Sequence, residues 1–226
     1  MVLLYENTRR SGGGRINKMK LKILNLYAGI GGNRKLWTGD IEVTAVENVP
    51  EIAKIYQDFF PNDKVIITDA HRYLLEHFKE FDFIWSSPPC PSHSRMRINH
   101  KNKIYPDMSL YQEIVFLKHF FKGKWVVENV IPYYETLINP NCLIQRHCFW
   151  SNFDIQTINI PKDNVAKSTK EKLSKEKGIV LPEYSINKRL LLRNAVNPII
   201  GLHIFNMAFK KPQQTLTNLA RVKPSK

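Results

Sequence analysis

Leu21-Lys-Ile-Leu-Asn-Leu-Tyr27, running directly into Ala28-Gly29-Ile30-Gly31-Gly32, decides the fold. The first half is a short apolar run bounded by turn residues, which predicts a strand. The second half is a glycine turn, and Asn33 to Trp37 read as the start of a helix. Strand, glycine turn and helix entry open a ligand-binding α/β unit. Glycines let the backbone approach a ligand closely, and the free amides of a helix start favour polar or anionic groups. A glycine cluster can also be no more than a tight turn, so the weight rests on what recurs downstream. Glu42-Val-Thr-Ala-Val46 predicts a second strand and ends in Glu47, about twenty residues past the glycine turn, where an acid can take both ribose hydroxyls of a nucleotide-like cofactor. Lys64-Val-Ile-Ile67 predicts a third and ends in Thr68-Asp69-Ala70. An Asp there can accept from an adenine amino group, although capping a helix is its commoner use.

Two further strands carry reactive groups. Phe81-Asp-Phe-Ile-Trp85 leads into Ser86-Ser-Pro-Pro-Cys90, and Lys124-Trp-Val-Val127 leads into Glu128-Asn129-Val130. Pro88 and Pro89 fix two φ angles and remove two backbone donors, so the loop is stiff and the thiol of Cys90 has a defined position. A small buried cysteine beside a turn would read the same way in isolation. The predicted class is α/β, with a mostly parallel sheet and helices on both faces. In such sheets ligands sit outside the carboxyl ends of the strands, so the glycine loop, Glu47, Asp69, Cys90 and Glu128 converge on one rim.

Leu24-Asn-Leu-Tyr-Ala-Gly-Ile-Gly-Gly32, Pro88-Pro89-Cys90, Glu128-Asn129-Val130, Gln145-Arg146-His147 and Arg193-Asn194-Ala195-Val196 resemble, in order, the motifs of the DNA cytosine-5 methyltransferases. The resemblance runs from about Leu21 to Phe209. It implies a Rossmann-like S-adenosylmethionine-dependent methyltransferase fold with a small basic insert. It implies that S-adenosyl-L-methionine is held by Tyr27, Ala28, Gly29, Gly31, Gly32, Glu47, Asp69 and Pro88, with Asn194 and Val196 closing the pocket. Cys90 would be the nucleophile and Glu128 the acid that touches the target ring. The chemistry needs these residue types: carbon 5 of cytosine is a poor nucleophile until a thiolate adds at carbon 6, and a carboxyl group at ring nitrogen 3 can supply a proton or stabilise the charge that develops. It needs no metal. In the family the base is extruded from the duplex, at a cost of roughly a few kcal/mol.

Four departures stand out. Asn25 replaces the more usual Asp, Tyr27 replaces Phe, and Pro91 replaces Gln. Gln145-Arg146-His147 shows one arginine and a histidine where two spaced arginines are usual, so either Arg146 or His147 reaches the cytosine carbonyl. By resemblance alone, these variants suggest a compact branch carried by a virus or mobile element.

Charge supports a nucleic-acid partner independently. The chain has 34 Lys and Arg against 20 Asp and Glu, and the surplus is concentrated in four segments, residues 1–20, 91–103, 161–190 and 209–226. The second segment carries Arg95, Arg97, Lys101 and Lys103 immediately after Cys90, placed to close over a phosphate backbone. The expected organisation is a basic extension over 1–20, a catalytic domain over 21–150, a short target recognition insert over 151–188, a returning helix over 189–209 and a basic tail over 210–226. So short an insert implies few base-edge contacts and a large share of phosphate contacts. Residues 189–209 read as a polar turn followed by an amphipathic helix. The expected partner is double-stranded DNA bound by a monomer. Two other readings use the same motifs: a methyltransferase of cytosine in transfer RNA, and a non-catalytic DNA-binding subunit. At 43% apolar content the chain can bury one domain's core. No apolar run is long enough to span a bilayer, and Cys90, Cys142 and Cys148 are odd in number, which points to a reducing interior.

Overall fold

The computed structural model describes residues 20–95, 104–161, 168–183 and 186–209. Arg97, Lys101, Lys103, Lys162, Lys167, the extension over 1–19 and the tail over 210–226 lie outside the described residues.

Five short apolar runs become parallel strands: β1 (Leu21–Leu26), β2 (Ile41–Val46), β3 (Lys64–Ile66), β4 (Phe83–Ser86) and β5 (Lys124–Val130). A hairpin, β6 (Cys142–Ile144) and β7 (His147–Ser151), adds antiparallel to β5 and completes a seven-stranded sheet in the order β3-β2-β1-β4-β5-β7-β6. The chain runs outward from β1 to β3 and then returns to β4 on the other side of β1. The order therefore reverses between β1 and β4, and the crevice outside their carboxyl ends is where open α/β sheets bind ligands.

Both faces of the sheet are covered. Leu24, Leu26, Ile84 and Val127 face one way, against α2 (Ala70–His77) and α3 (Ser109–Phe120), which contribute Leu74, Leu110, Ile114 and Leu117. Ile23, Val43, Phe83, Trp85 and Val126 face the other way, the alternation a two-residue side-chain period demands. That face is covered by Ile200, Ile204, Phe205 and Ala208 of α6 (Pro198–Phe209), while Ala45 packs on Tyr56 of α1 (Pro50–Phe59). The Rossmann-like α/β fold with helices on both faces is thus present.

The glycine turn does not open a helix. Residues 32–36 form successive turns, and the helix expected around Asn33 to Trp37 is absent. Tertiary contacts account for this. Trp37 is buried, stacks on Phe205 at 5.0 Å between ring centroids, and donates from Nε1 to the Gly201 carbonyl at 3.1 Å. A Cβ at Gly201 would fall 2.2 Å from the Asn33 carbonyl oxygen. The carboxyl-terminal helix α6 thus lies against the turns where a first crossover helix would begin.

Residues 188–194 are α5 rather than a polar turn, with Asn187 capping its start by accepting from the Leu190 amide at 3.0 Å. In the insert, Phe153, Ile155, Ile158 and Ile160 lie against the α6 face of the core. Helix α4 (Lys170–Lys177) ends at Gly178, whose φ of +59° is the left-handed conformation common past a helix end. Its Leu173 joins Ile179, Ile30, Ile55, Leu191 and Leu192 in one buried cluster, so this part of the insert rests on the glycine turn and α1.

Candidate active site

On one side of the crevice the glycine turn is held by an acid. Glu47, buried at the end of β2, accepts from the Gly29 amide through Oε2 at 2.9 Å and from the Val49 amide through Oε1 at 3.0 Å. Tyr27, Gly29 and Gly31 all have positive φ, at +53°, +53° and +74°. The three glycines of the turn do different jobs. A Cβ at Gly31 would strike Phe60 and Tyr56, and one at Gly32 would come within 2.4 Å of the Val196 carbonyl oxygen. A Cβ at Gly29 would meet nothing within 4 Å, so there the backbone borders open space that a ligand can use. Ala28 is buried and donates to the Val46 carbonyl. Asn25, the departure from Asp, is fully buried and accepts from Asn33 Nδ2 at 2.8 Å, a neutral amide pair where a charge would be costly.

Asp69 is the N-cap of α2: its Oδ1 accepts from the Arg72 amide at 2.7 Å while the residue remains exposed. Val196 is buried against Gly32, whereas Asn194 is exposed at the end of α5; the buried asparagine here is Asn197, which accepts from the Ile199 amide.

The other side carries the thiol. Cys90 is partly exposed, and its carbonyl accepts from the amides of His93 and Ser94, which turns the chain sharply behind it. Asn129, buried in β5, donates to the Pro88 carbonyl at 2.9 Å and so ties the prolyl-cysteine loop to the strand of Glu128. Antiparallel pairing of β5 with β7 extends β5 through Val130 and sets Glu128 diagonal to His147. His147 Nδ1 bonds to Glu128 Oε1, with both side chains buried.

Burial alone would push the Glu128 carboxyl up, but His147, Ser87 and Arg146 together hold it below the usual carboxylate range. Burial pushes the Cys90 thiol up and Glu128 adds to this, while Arg146 and Arg193 pull it back. Cys90, Glu128 and Arg146 therefore share one electrostatic environment. Arg146 follows Gln145, whose φ is +55° in the β6–β7 turn, and its Nη2 donates to the Arg193 carbonyl at 2.7 Å while its Nε is buried without a partner among the described residues. Arg95 is exposed and donates to the Pro132 carbonyl at 3.2 Å. Part of the lysine surplus near the insert is paired locally, in Lys172 with Glu176 and Lys188 with Glu183.

Several residues at this rim have no motif to announce them. Glu113 of α3 is fully buried and accepts from Tyr27 Oη at 2.6 Å, Ser86 Oγ at 2.5 Å and His71 Nδ1 at 3.1 Å. The hydroxyl by which Tyr27 departs from Phe is thus spoken for. His93 is buried and bonds through Nδ1 to Tyr134 Oη at 2.6 Å.

Residues 21–132, which hold the glycine turn, Glu47, Cys90 and Glu128, match the family of C-5 cytosine-specific DNA methylases. Over these residues the chain is similar to that family. S-adenosylmethionine is the cofactor of C5 methylases, and the donor set beside Gly29, a carboxylate next to bare backbone, fits it. No curated protein matches the sequence. Among solved structures, the chain is similar to a DNMT2 variant from Spodoptera frugiperda, at 20% identity over 64% of this chain and 56% of that one, with a TM-score of 0.44. A hypothetical protein from Thermus thermophilus aligns at 15% identity over 58% of this chain and 74% of that one, with a TM-score of 0.42. A SAM-dependent methyltransferase from Agrobacterium tumefaciens aligns at 15% identity over 54% and 41%, with a TM-score of 0.36. The chain therefore spans about half the length of the moth and Agrobacterium proteins. No described helix is long and apolar enough to cross a membrane.

Proposed function

We propose that the protein is a DNA cytosine-5 methyltransferase acting on a cytosine turned out of the duplex, through a bond from Cys90 to carbon 6 of the ring. The observation that carries this reading is the grouping of Cys90, Glu128 and Arg146 in one electrostatic environment, with Asn129 joining the two strand ends that present the thiol and the acid. When bound, S-adenosylmethionine supplies an electrophilic methyl group.

The protein's own part begins with the thiol. As the sulfur of Cys90 adds at carbon 6 its proton leaves, and the electron pair of the 5,6 double bond moves into the ring, which makes carbon 5 nucleophilic. The hydrogen-bonded pair of Glu128 and His147 takes up that proton and passes one to ring nitrogen 3 in exchange. With His147 committed to Glu128, Arg146 is the residue that reaches the cytosine carbonyl, and its buried, unpartnered Nε is the donor for that contact. After methylation carbon 5 gives up its proton to solvent, nitrogen 3 returns its proton through the same Glu128–His147 pair, and the sulfur–carbon bond breaks as Cys90 takes that proton back. Glu47 would take the ribose hydroxyls in exchange for its loop amides, and Asp69 the adenine, with its cap retained. Arg95, Arg97, Lys101 and Lys103 would contact the phosphate backbone beside the extruded base.

The test is to incubate the full chain with tritiated S-adenosylmethionine and, in separate arms, mixed-sequence duplex DNA and bulk transfer RNA, followed by nucleoside analysis. Label recovered as 5-methylcytosine in DNA is the expected result. Label confined to RNA reassigns the substrate, and label in neither overturns the catalytic reading.

A further inference from the structure

Among the described residues, the most heavily bonded side chain at the crevice belongs to no motif. Glu113 is fully buried and accepts three hydrogen bonds, two through Oε1 from Tyr27 and His71 and one through Oε2 from Ser86. Its donors come from three different strand ends. Tyr27 follows β1, Ser86 closes β4 opposite Leu26 of β1, and His71 lies in the first turn of the helix that follows β3. Glu113 thus sits beneath the point where the strand order reverses. Any methyl donor held between Glu47 and Cys90 must bring its reactive centre across this point, because Ser86 is only four residues ahead of Cys90.

As a carboxylate, Glu113 accepts from all three neighbours, and its negative charge is balanced only when His71 carries a proton on both ring nitrogens. His71 is the member of the cluster that touches solvent, with its side chain 27% exposed. The groups facing it are Glu113 from α3, Asp69 at the start of its own helix, and Asp107 just ahead of α3. No cation other than His71 itself is among them. Buried charge is felt strongly across short distances in such a site.

Resting on the proposed use of S-adenosylmethionine, we propose that Glu113 is the buried counter-charge of the cofactor's sulfonium, and that His71 sets how much of that charge the sulfonium feels. Cofactor and product share the adenosyl and amino-acid parts and differ in this one positive charge, which is lost with the methyl group. With His71 neutral, the cluster is anionic and favours cofactor over product. With His71 protonated, the cluster is neutral and the preference shrinks. The hydrogen bond to Glu113 raises the His71 ring above its ordinary 6.5, with Asp69 and Asp107 adding to this against its burial. The switch therefore falls above pH 6.5, and the cofactor preference grows as pH rises through it. Glu113 and His71 are positioning residues in this scheme, since neither touches the reacting atoms.

Calorimetric binding of S-adenosylmethionine and of S-adenosylhomocysteine to the full chain between pH 5.5 and 9 tests this without turnover. The ratio of product Kd to cofactor Kd should rise with pH by on the order of tenfold. Glu113→Gln keeps an acceptor but removes the charge, so its ratio should stay low at every pH. His71→Asn cannot neutralise Glu113, so its ratio should stay high at every pH. These opposite plateaus are not produced by a merely structural role, and His71→Asn alters a partly exposed residue, so the test survives a Glu113→Gln variant that fails to fold. A ratio independent of pH in the unaltered protein, or His71→Asn retaining its pH dependence, overturns the inference while leaving the methyltransferase reading intact. Failure of either compound to bind overturns that reading, and this inference with it.

Discussion

On the proposed cofactor side of the crevice Glu47 is gripped by two backbone amides, those of Gly29 and Val49, whereas on the proposed catalytic side Glu128 is held by side chains, His147, Ser87 and Arg146. The difference has a physical consequence. Backbone donors are fixed by the fold, so the first acid braces a loop whose shape is its purpose. Side-chain donors carry protons and charge of their own, so the second acid belongs to a network that can move a proton and whose strength is set by residue choice. Binding and chemistry are thereby separable, and substitutions on the two sides should fail in different ways.

The largest separation is expected from Cys90→Ser. A serine hydroxyl offers almost no anion at neutral pH, so methyl transfer should fall by at least about a thousandfold while calorimetric cofactor affinity stays within about twofold. Retained turnover would sink the covalent route. The unaltered thiol is pushed up by burial and by Glu128, so the single-turnover rate should keep climbing as pH rises through the neutral range. Glu128→Gln comes next. It should slow transfer by on the order of a hundredfold, with cofactor affinity again unchanged. A loss in affinity instead of rate would erase the distinction between the two sides.

The parts of the fold legible from sequence were those whose signal is local. β1, β2, β4 and β5 are parallel and largely buried, so each reads as a short continuous apolar run, while the edge strand β3 is legible only from Val65 and Ile66. The rim residues Glu47, Cys90 and Glu128 follow directly from where those runs end. The β6–β7 hairpin was hidden because its turn is Gln145-Arg146, with a positive φ on glutamine rather than on glycine, inside a stretch read for its chemistry. The helix after the glycine turn was expected on local grounds and is absent for a distant reason: Trp37 and Asn33 are engaged by α6, more than 160 residues further on. Glu113 was invisible because an acid within Leu110-Tyr-Gln-Glu113-Ile reads as a solvated helix position, and only the three donors from other elements reveal it as buried. The commoner reading of Asp69, as a cap, describes its visible hydrogen bond.

The insert extends the comparison to stability. A lysine-rich helix reads as solvent-facing, but Leu173 of α4 is fully buried against Ile30 of the glycine turn and Ile55 of α1. Leu173→Ala should cost about 2–4 kcal/mol in a denaturant titration, the range for truncating a buried leucine. The damage should also loosen the cofactor side first, weakening cofactor binding several-fold with the rate at saturation little changed. Equal loss in both would mean that α4 supports the whole sheet rather than the glycine turn.

Asp69 gives the smallest expected effect and the finest test, because its two oxygens are assigned different tasks. Oδ1 accepts from the Arg72 amide and caps α2. The second oxygen is the one proposed for the adenine amino group. Asparagine caps a helix as well as aspartate does, but its side-chain nitrogen cannot accept from an amino group. Asp69→Asn should therefore leave thermal stability within a few tenths of a kcal/mol and weaken cofactor binding by roughly threefold to tenfold. Asp69→Ala removes both tasks and should add a stability loss of about 1 kcal/mol to the same affinity loss. If Asp69→Asn binds cofactor as tightly as the unaltered protein while Asp69→Ala loses stability, Asp69 is a helix cap alone. Adenine recognition would then pass to the exposed apolar neighbour Ile67 and the backbone around it.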